Sequence, residues 1–82
     1  MYWNHRVIEH NTVENYEAIH EVYYNEGGEI QGWTEEPVAI LKYEDDTWEN
    51  ILEWIVGATQ KPVLVEVMGE DGKRKLVEKE QA

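Results

Sequence analysis

The 82-residue chain contains no cysteine, no serine and no phenylalanine, and it has only two prolines. The lack of cysteine excludes a disulfide framework, a thiolate zinc site and a cysteine nucleophile, and the lack of serine excludes a serine hydrolase. Basic residues are also scarce, since seven lysines and arginines face 18 aspartates and glutamates and the net charge is -11. This charge argues against direct binding to DNA, RNA or anionic lipid, because each of these is itself negatively charged.

Long hydrophobic stretches are absent as well. The longest uninterrupted apolar run covers residues 38–41, whereas a helix that spans a bilayer needs about 20 apolar residues. No apolar segment of the kind found in signal peptides follows residues 1–6. We therefore expect a protein that does not contact membranes and that resides in the cytoplasm of a bacterial host cell.

The hydrophobic pattern predicts antiparallel strands over residues 2–42. The clearest of them covers residues 16–24, where the even-numbered positions form an apolar face interrupted only by His20. We expect this face to point to the core. The turn residues 25–28 contain two glycines and favour a hairpin. Residues 38–41 are either a further strand or a connection that packs under the helix.

A helix is predicted over residues 46–59. Asp46 is the expected N-cap, and Glu49 three residues later would complete a capping box. Residues 63–79 then form a C-terminal hairpin around a glycine-containing turn. One stripe at helical spacing is expected to face the sheet: Trp48, Ile51, Leu52, Ile55, Val56 and Thr59.

These elements predict one α+β domain over residues 1–82. An antiparallel sheet of about four to five strands would carry the amphipathic helix on one face, since the helix cannot bury its stripe alone.

The acidic residues are unevenly distributed along the chain. Residues 1–60 carry two basic and 13 acidic side chains, whereas residues 61–82 carry five of each. Glu53 lies four residues after Glu49, and like charges at that spacing cost a few tenths of a kcal/mol in a helix. The chain therefore carries more carboxylates near the start of the helix than helix stability requires. Seven of them, here called the acidic set, surround the start of the helix: Glu35, Glu36, Glu44, Asp45, Asp46, Glu49 and Glu53.

Two interpretations of the acidic set remain open. In the first, the charge serves solubility alone. In the second, the set is a partner-binding surface that occupies a basic surface on another protein, such as a nucleic-acid-binding complex, and gains association rate from electrostatic steering.

No catalytic, metal or cofactor site emerges from residue spacing. His5 and His10 are separated by an odd number of residues, so in one strand they point to opposite faces. By the same rule His20 points away from both Glu17 and Glu21. No hydroxyl residue has a recognisable base at a diagnostic spacing. We expect a non-enzymatic protein without a metal or cofactor.

The aromatic residues allow an alternative function. Trp3, Tyr23 and Trp33 form a possible dimer face, because a short chain has difficulty covering both faces of an apolar sheet. In this alternative the protein is a small structural or homodimeric module and its acidity serves solubility alone. The competing interpretation is that side chains from neighbouring strands cover these aromatics.

Three sequence segments resemble a group of small uncharacterised bacterial and phage proteins. Residues 19–24 read Ile-His-Glu-Val-Tyr-Tyr, residues 33–37 read Trp-Thr-Glu-Glu-Pro after a glycine-containing turn, and residues 61–64 read Lys-Pro-Val-Leu. The resemblance covers about residues 2–64. This chain departs from the group by its C-terminal hairpin and by the acidic helix entry at residues 43–46.

The group has no assigned activity, so the resemblance implies none for this chain. Together with the small size and the acidity, the two departures suggest a phage-borne variant, and acidic phage proteins of this size look like anti-defence inhibitors. An anti-CRISPR protein that acts as a DNA mimic is the concrete version of this hypothesis, and it is drawn by analogy.

Overall fold

The computed structural model describes residues 2–81. They form a five-stranded sheet and one α-helix, which confirms the α+β class and the placement of a helix on a sheet. The elements in chain order are β1 (Tyr2–Asn11), β2 (Asn15–Tyr24), β3 (Ile30–Trp33), α1 (Trp48–Thr59), β4 (Leu64–Met68), β5 (Arg74–Glu78) and a 3-10 turn (Lys79–Gln81).

The sheet is mixed, which corrects the expectation of a purely antiparallel one. The strand order is β3-β2-β1-β4-β5, and β4 runs parallel to β1, with Ile8 opposite Leu64. The other three pairings are antiparallel. Since β3 also runs in the direction of β1, the chain from β3 through α1 to β4 is a crossover between strands of the same direction, for which a helix is the usual connection.

The sheet curls until its two edge strands, β3 and β5, contact each other. Its inner face carries the main hydrophobic cluster. The even-numbered face of β2 points inward as predicted, with His20, Val22 and Tyr24 buried, although Tyr16 at its start is exposed. Trp33 and Ile30 from β3 pack against this cluster. The buried members of the cluster are Ile8, Val22, Tyr24, Leu64 and Leu76.

The helix starts at Trp48, two residues later than predicted, its N-cap is one residue later than predicted, and it faces the sheet differently. Thr47 is the N-cap, and its hydroxyl accepts a hydrogen bond from the Asn50 amide at 3.1 Å. Asp46 instead closes the preceding turn by accepting from the Tyr43 amide at 3.0 Å. The buried helix residues are Ile51 and Ala58. The predicted stripe is therefore only partly buried.

Residues 34–47 between β3 and α1 contain no strand or helix. The Val38 amide donates to the Ile19 carbonyl at 2.8 Å, which holds the connection along the part of β2 that β3 does not cover. Ile40 and Leu41 are both more than half exposed. The apolar run at residues 38–41 is thus a connection rather than a strand. Within the described residues, no helix combines the length and the apolar character needed to cross a membrane.

Candidate binding surface

Helix α1 packs on the outer face of the sheet, the face opposite the main cluster. The ring of Trp54 stacks on His5 of β1, with centroids 4.1 Å apart and planes 18° from parallel. After the helix ends, the Lys61 ammonium donates to the Gly57 carbonyl at 3.0 Å and places a positive charge at the negative end of the helix dipole. These contacts fix which side of the helix faces solvent.

The solvent side of α1 carries an apolar row made of Trp48, Leu52 and Val56. Their spacing of four residues aligns them along the helix, and they are 55%, 59% and 49% exposed. The alternation of apolar residues along α1 reflects two rows, one against β1 and one in water. A row of exposed apolar side chains on a small protein is typical of a contact surface for another protein.

Exposed carboxylates accompany the apolar row. Glu49 and Glu53 extend from the helix, and Glu44 and Asp45 lie in the turn that precedes it; all four are exposed. Asp46 is half-buried because its carboxylate is used by the turn. The negative charges at the start of α1 also stabilise the helix by about 0.3–1 kcal/mol each, because they lie near the positive end of its dipole.

The two remaining members of the acidic set lie on different parts of the surface. Glu36 lines a groove between the connection and the helix, together with Asp46 and Trp54. Glu35, although its neighbour in sequence, lines a separate cleft on the inner side of the sheet. The structure therefore brings Glu36 near the helix and separates Glu35 from it.

The basic residues of the C-terminal hairpin do not neutralise the acidic set. Within residues 2–81 there are two ion pairs, Arg74–Glu66 at 3.1 Å and Lys79–Glu9 at 3.4 Å. Both use carboxylates outside the acidic set. The acidic set therefore takes part in no ion pair within residues 2–81.

The three aromatics of the possible dimer face do not share a face. Trp3 and Tyr23 are cross-strand partners on the outer face, whereas Trp33 pairs with Val22 and packs in the inner cluster. The hydroxyl of Tyr23 donates to Glu21 at 2.8 Å, and this bond raises the pKa of Tyr23. Trp3, at 53% exposure, is the only one of the three that is mostly open to solvent.

A buried arginine is the first polar feature that sequence reasoning missed. The Arg6 guanidinium donates to the Tyr24 hydroxyl at 3.0 Å and to the Pro62 carbonyl at 2.9 Å. The Tyr24 hydroxyl in turn donates to Asn4 at 2.9 Å. Arg6 thus ties β1 to β2 and to the segment just before β4. Its Nε atom is buried and has no hydrogen-bond partner among the described residues.

The second missed feature is a pair of histidines. The Nε2 atoms of His10 and His20 lie 2.8 Å apart, and His20 is 1% exposed. In the β1–β2 register His10 lies opposite Tyr16, so its ring reaches diagonally past the small side chain of Ala18 to His20. Burial lowers the pKa of His20, while the Thr34 carbonyl opposes that shift by accepting a bond from Nδ1 at 2.9 Å. The pairing joins two strands, so spacing along one strand could not reveal it.

No group of three or more histidine, aspartate or glutamate side chains within residues 2–81 is arranged to hold a metal ion.

The segments that carry the resemblance mostly build the sheet and its core. Residues 19–24 lie in β2 and include the buried His20, Val22 and Tyr24, and residues 61–64 lead from the helix into β4. The resemblance itself stays a prediction. Comparisons of the chain with protein-family models, with curated proteins and with solved structures found no match.

Proposed function

We propose that this protein is a non-catalytic binding protein that uses the solvent side of α1 to occupy a basic surface on a partner protein. The observation that carries the proposal is the apolar row of Trp48, Leu52 and Val56 beside exposed carboxylates that take part in no ion pair within residues 2–81. An apolar centre with a charged border is the usual anatomy of a protein interface. The carboxylates would speed association with a cationic partner.

The partner class that fits this chemistry is a nucleic-acid-binding protein. Its binding groove presents lysines and arginines that normally contact phosphates, and carboxylates at the start of α1 can contact the same cations. The protein would then act as an inhibitor, because the groove cannot hold nucleic acid at the same time. The anti-CRISPR form of this inhibitor remains one instance of the proposal.

The test is a capture experiment on bacterial lysate with two matched charge-reversal variants. Glu44→Lys, Asp45→Lys and Glu49→Lys together change the surface beside α1. Glu14→Lys, Glu17→Lys and Glu26→Lys make the same change in net charge at exposed positions elsewhere. We expect the unmodified chain and the second variant to retain a basic protein that the first variant does not retain. Added duplex DNA should release that protein from the chain.

Two results would contradict the proposal. Equal loss in both variants would show that total charge, and not the surface beside α1, governs capture. A captured protein that stays bound in about 1 M salt and in excess DNA would exclude a contact dominated by charge, since the Debye length is then only about 3 Å.

Sedimentation velocity in about 0.1 M and about 1 M salt distinguishes the homodimeric alternative from the proposed function. The observation that favours it is the exposure of Trp3 beside Tyr23 on the outer face. An apolar dimer would persist at high salt, because screening weakens charge contacts and not apolar ones. A Trp3→Ala variant should then sediment as a monomer. We expect the unmodified chain to be monomeric in both salts.

A further inference from the structure

The inner side of the sheet contains a cleft that the proposed function does not use. It has a volume of about 340 Å³, and its lining includes both rings of the histidine pair together with Glu35, Glu66 and Arg74. Of the two rings, His20 is buried and His10 is half-exposed. The cleft therefore combines two imidazoles with nearby carboxylates.

The hydrogen bonds fix the protonation of the buried ring. A carbonyl oxygen only accepts, so Nδ1 of His20 carries the proton in its 2.9 Å bond to the Thr34 carbonyl. In the neutral ring, Nε2 of His20 then carries a lone pair that points toward His10. A backbone carbonyl bound to the rear nitrogen is the arrangement that orients most metal-ligating histidines.

We propose that His10 and His20 bind one divalent transition-metal ion through their Nε2 atoms, with zinc as the reference ion. Two nitrogens bonded to tetrahedral zinc at about 2.0–2.1 Å lie about 3.3 Å apart. The observed separation of 2.8 Å needs to grow by only about half an ångström. The His10 ring must also turn aside, because the ion takes the place on the His20 lone pair that His10 now occupies. His10 is half-exposed and stacks on Tyr16, with centroids 4.6 Å apart, so it can turn while the buried His20 stays in place.

Binding needs one internal proton shift and no other reactant. Without metal, Nε2 of His10 donates its proton to the lone pair of His20. With metal, His10 carries its proton on Nδ1 instead, so both Nε2 lone pairs face the ion and both rings stay neutral. Water completes the coordination, because among residues 2–81 no third side-chain ligand is in place.

The charges around the pair favour a cation on balance. Glu35 and Glu66 line the cleft, and Glu36 also acts on His20 through its charge. Arg74 opposes a cation, but its guanidinium is paired with Glu66 at 3.1 Å. Imidazole ligands select zinc, copper or nickel over magnesium and calcium, which prefer oxygen.

Titration calorimetry of an untagged chain with zinc chloride at about pH 7.5 tests the site. We expect one ion per chain and at least a tenfold weaker affinity in His10→Asn, a loss of the size seen when metal sites are perturbed. His5→Asn is the matched control, because His5 lies on the outer face against Trp54, and it should bind zinc as the unmodified chain does. Magnesium chloride should give no histidine-dependent binding.

A second measurement keeps the proposal testable if His10→Asn does not fold. In nitrogen-15 spectra of the unmodified chain, zinc should shift the Nε2 signals of His10 and His20 and leave those of His5 unchanged. The absence of zinc binding would overturn the site. Equal affinity in His10→Asn, or equal loss in His5→Asn, would overturn it as well.

Discussion

The two faces of the sheet are stabilised very differently. On the inner face, Ile8, Val22 and Leu64 are at most 2% exposed and come from three different strands. On the outer face, Val7 and Val65 of the sheet are buried together with Ile51 and Ala58 of the helix, while the apolar row of the helix stays in water. Hydrophobic stabilisation scales with the apolar area removed from water. The inner face is therefore closed by the curl of the sheet itself, whereas the outer face is covered by a helix that keeps one apolar row exposed.

The largest expected effect separates two leucines on these two sides. Leu64→Ala should lower the free energy of unfolding by about 2–5 kcal/mol, because it opens a cavity in the inner cluster. Leu52→Ala should change it by less than about 0.5 kcal/mol, because that side chain is 59% exposed. Urea denaturation followed by tryptophan fluorescence measures both.

Equal destabilisation by the two leucine variants would contradict this division. Such a result would mean that the helix row is covered, by a second copy of the chain or by another element. Measurement at two protein concentrations distinguishes these cases, since the stability of a dimer depends on concentration.

A somewhat smaller effect is expected at the polar centre of the inner face. Arg6→Met keeps much of the side-chain volume but leaves the Pro62 carbonyl without its 2.9 Å bond. We expect a loss of about 1–3 kcal/mol, the cost of an unsatisfied buried polar group. Tyr24 is less affected, because its hydroxyl still donates to Asn4.

The Arg6→Met variant also tests whether a buried charge raises or lowers the stability of the fold. Replacing a buried ion by an apolar group of similar volume is often neutral or stabilising, and the Nε atom of Arg6 has no partner within residues 2–81. An increase in thermal stability in Arg6→Met would therefore show that the bonds to Tyr24 and Pro62 do not offset the burial of the guanidinium.

The sequence predicted local elements well and long-range pairing poorly. Alternation along residues 16–24 identified the inward face of β2, and turn residues located the two predicted hairpins, β2–β3 and β4–β5. The parallel pairing of β1 with β4 joins Ile8 to Leu64 across most of the chain. No local pattern encodes that pairing, since both strands would look the same in an antiparallel arrangement.

The candidate surface was predicted only in part, because contacts between distant segments also decide which residues it exposes. The acidic residues at the start of α1 are visible in the sequence, and their exposure follows from their chemistry. The helical stripe was wrong as a single buried face, because periodicity does not say which of two adjacent apolar rows the sheet covers. Arg6 and the histidine pair depend on partners in other strands, so they required coordinates.

The smallest effect that we expect concerns the start of the helix that carries the proposed surface. Thr47→Ala should lower the free energy of unfolding by about 1 kcal/mol, because the Asn50 amide loses its capping hydroxyl. In a domain of this size that loss corresponds to about 4–8 °C in melting temperature. Thr47→Ser keeps the hydroxyl and should melt close to the unmodified chain. If both variants melt at the same temperature, the hydroxyl is not the cap and the assignment to Thr47 is wrong.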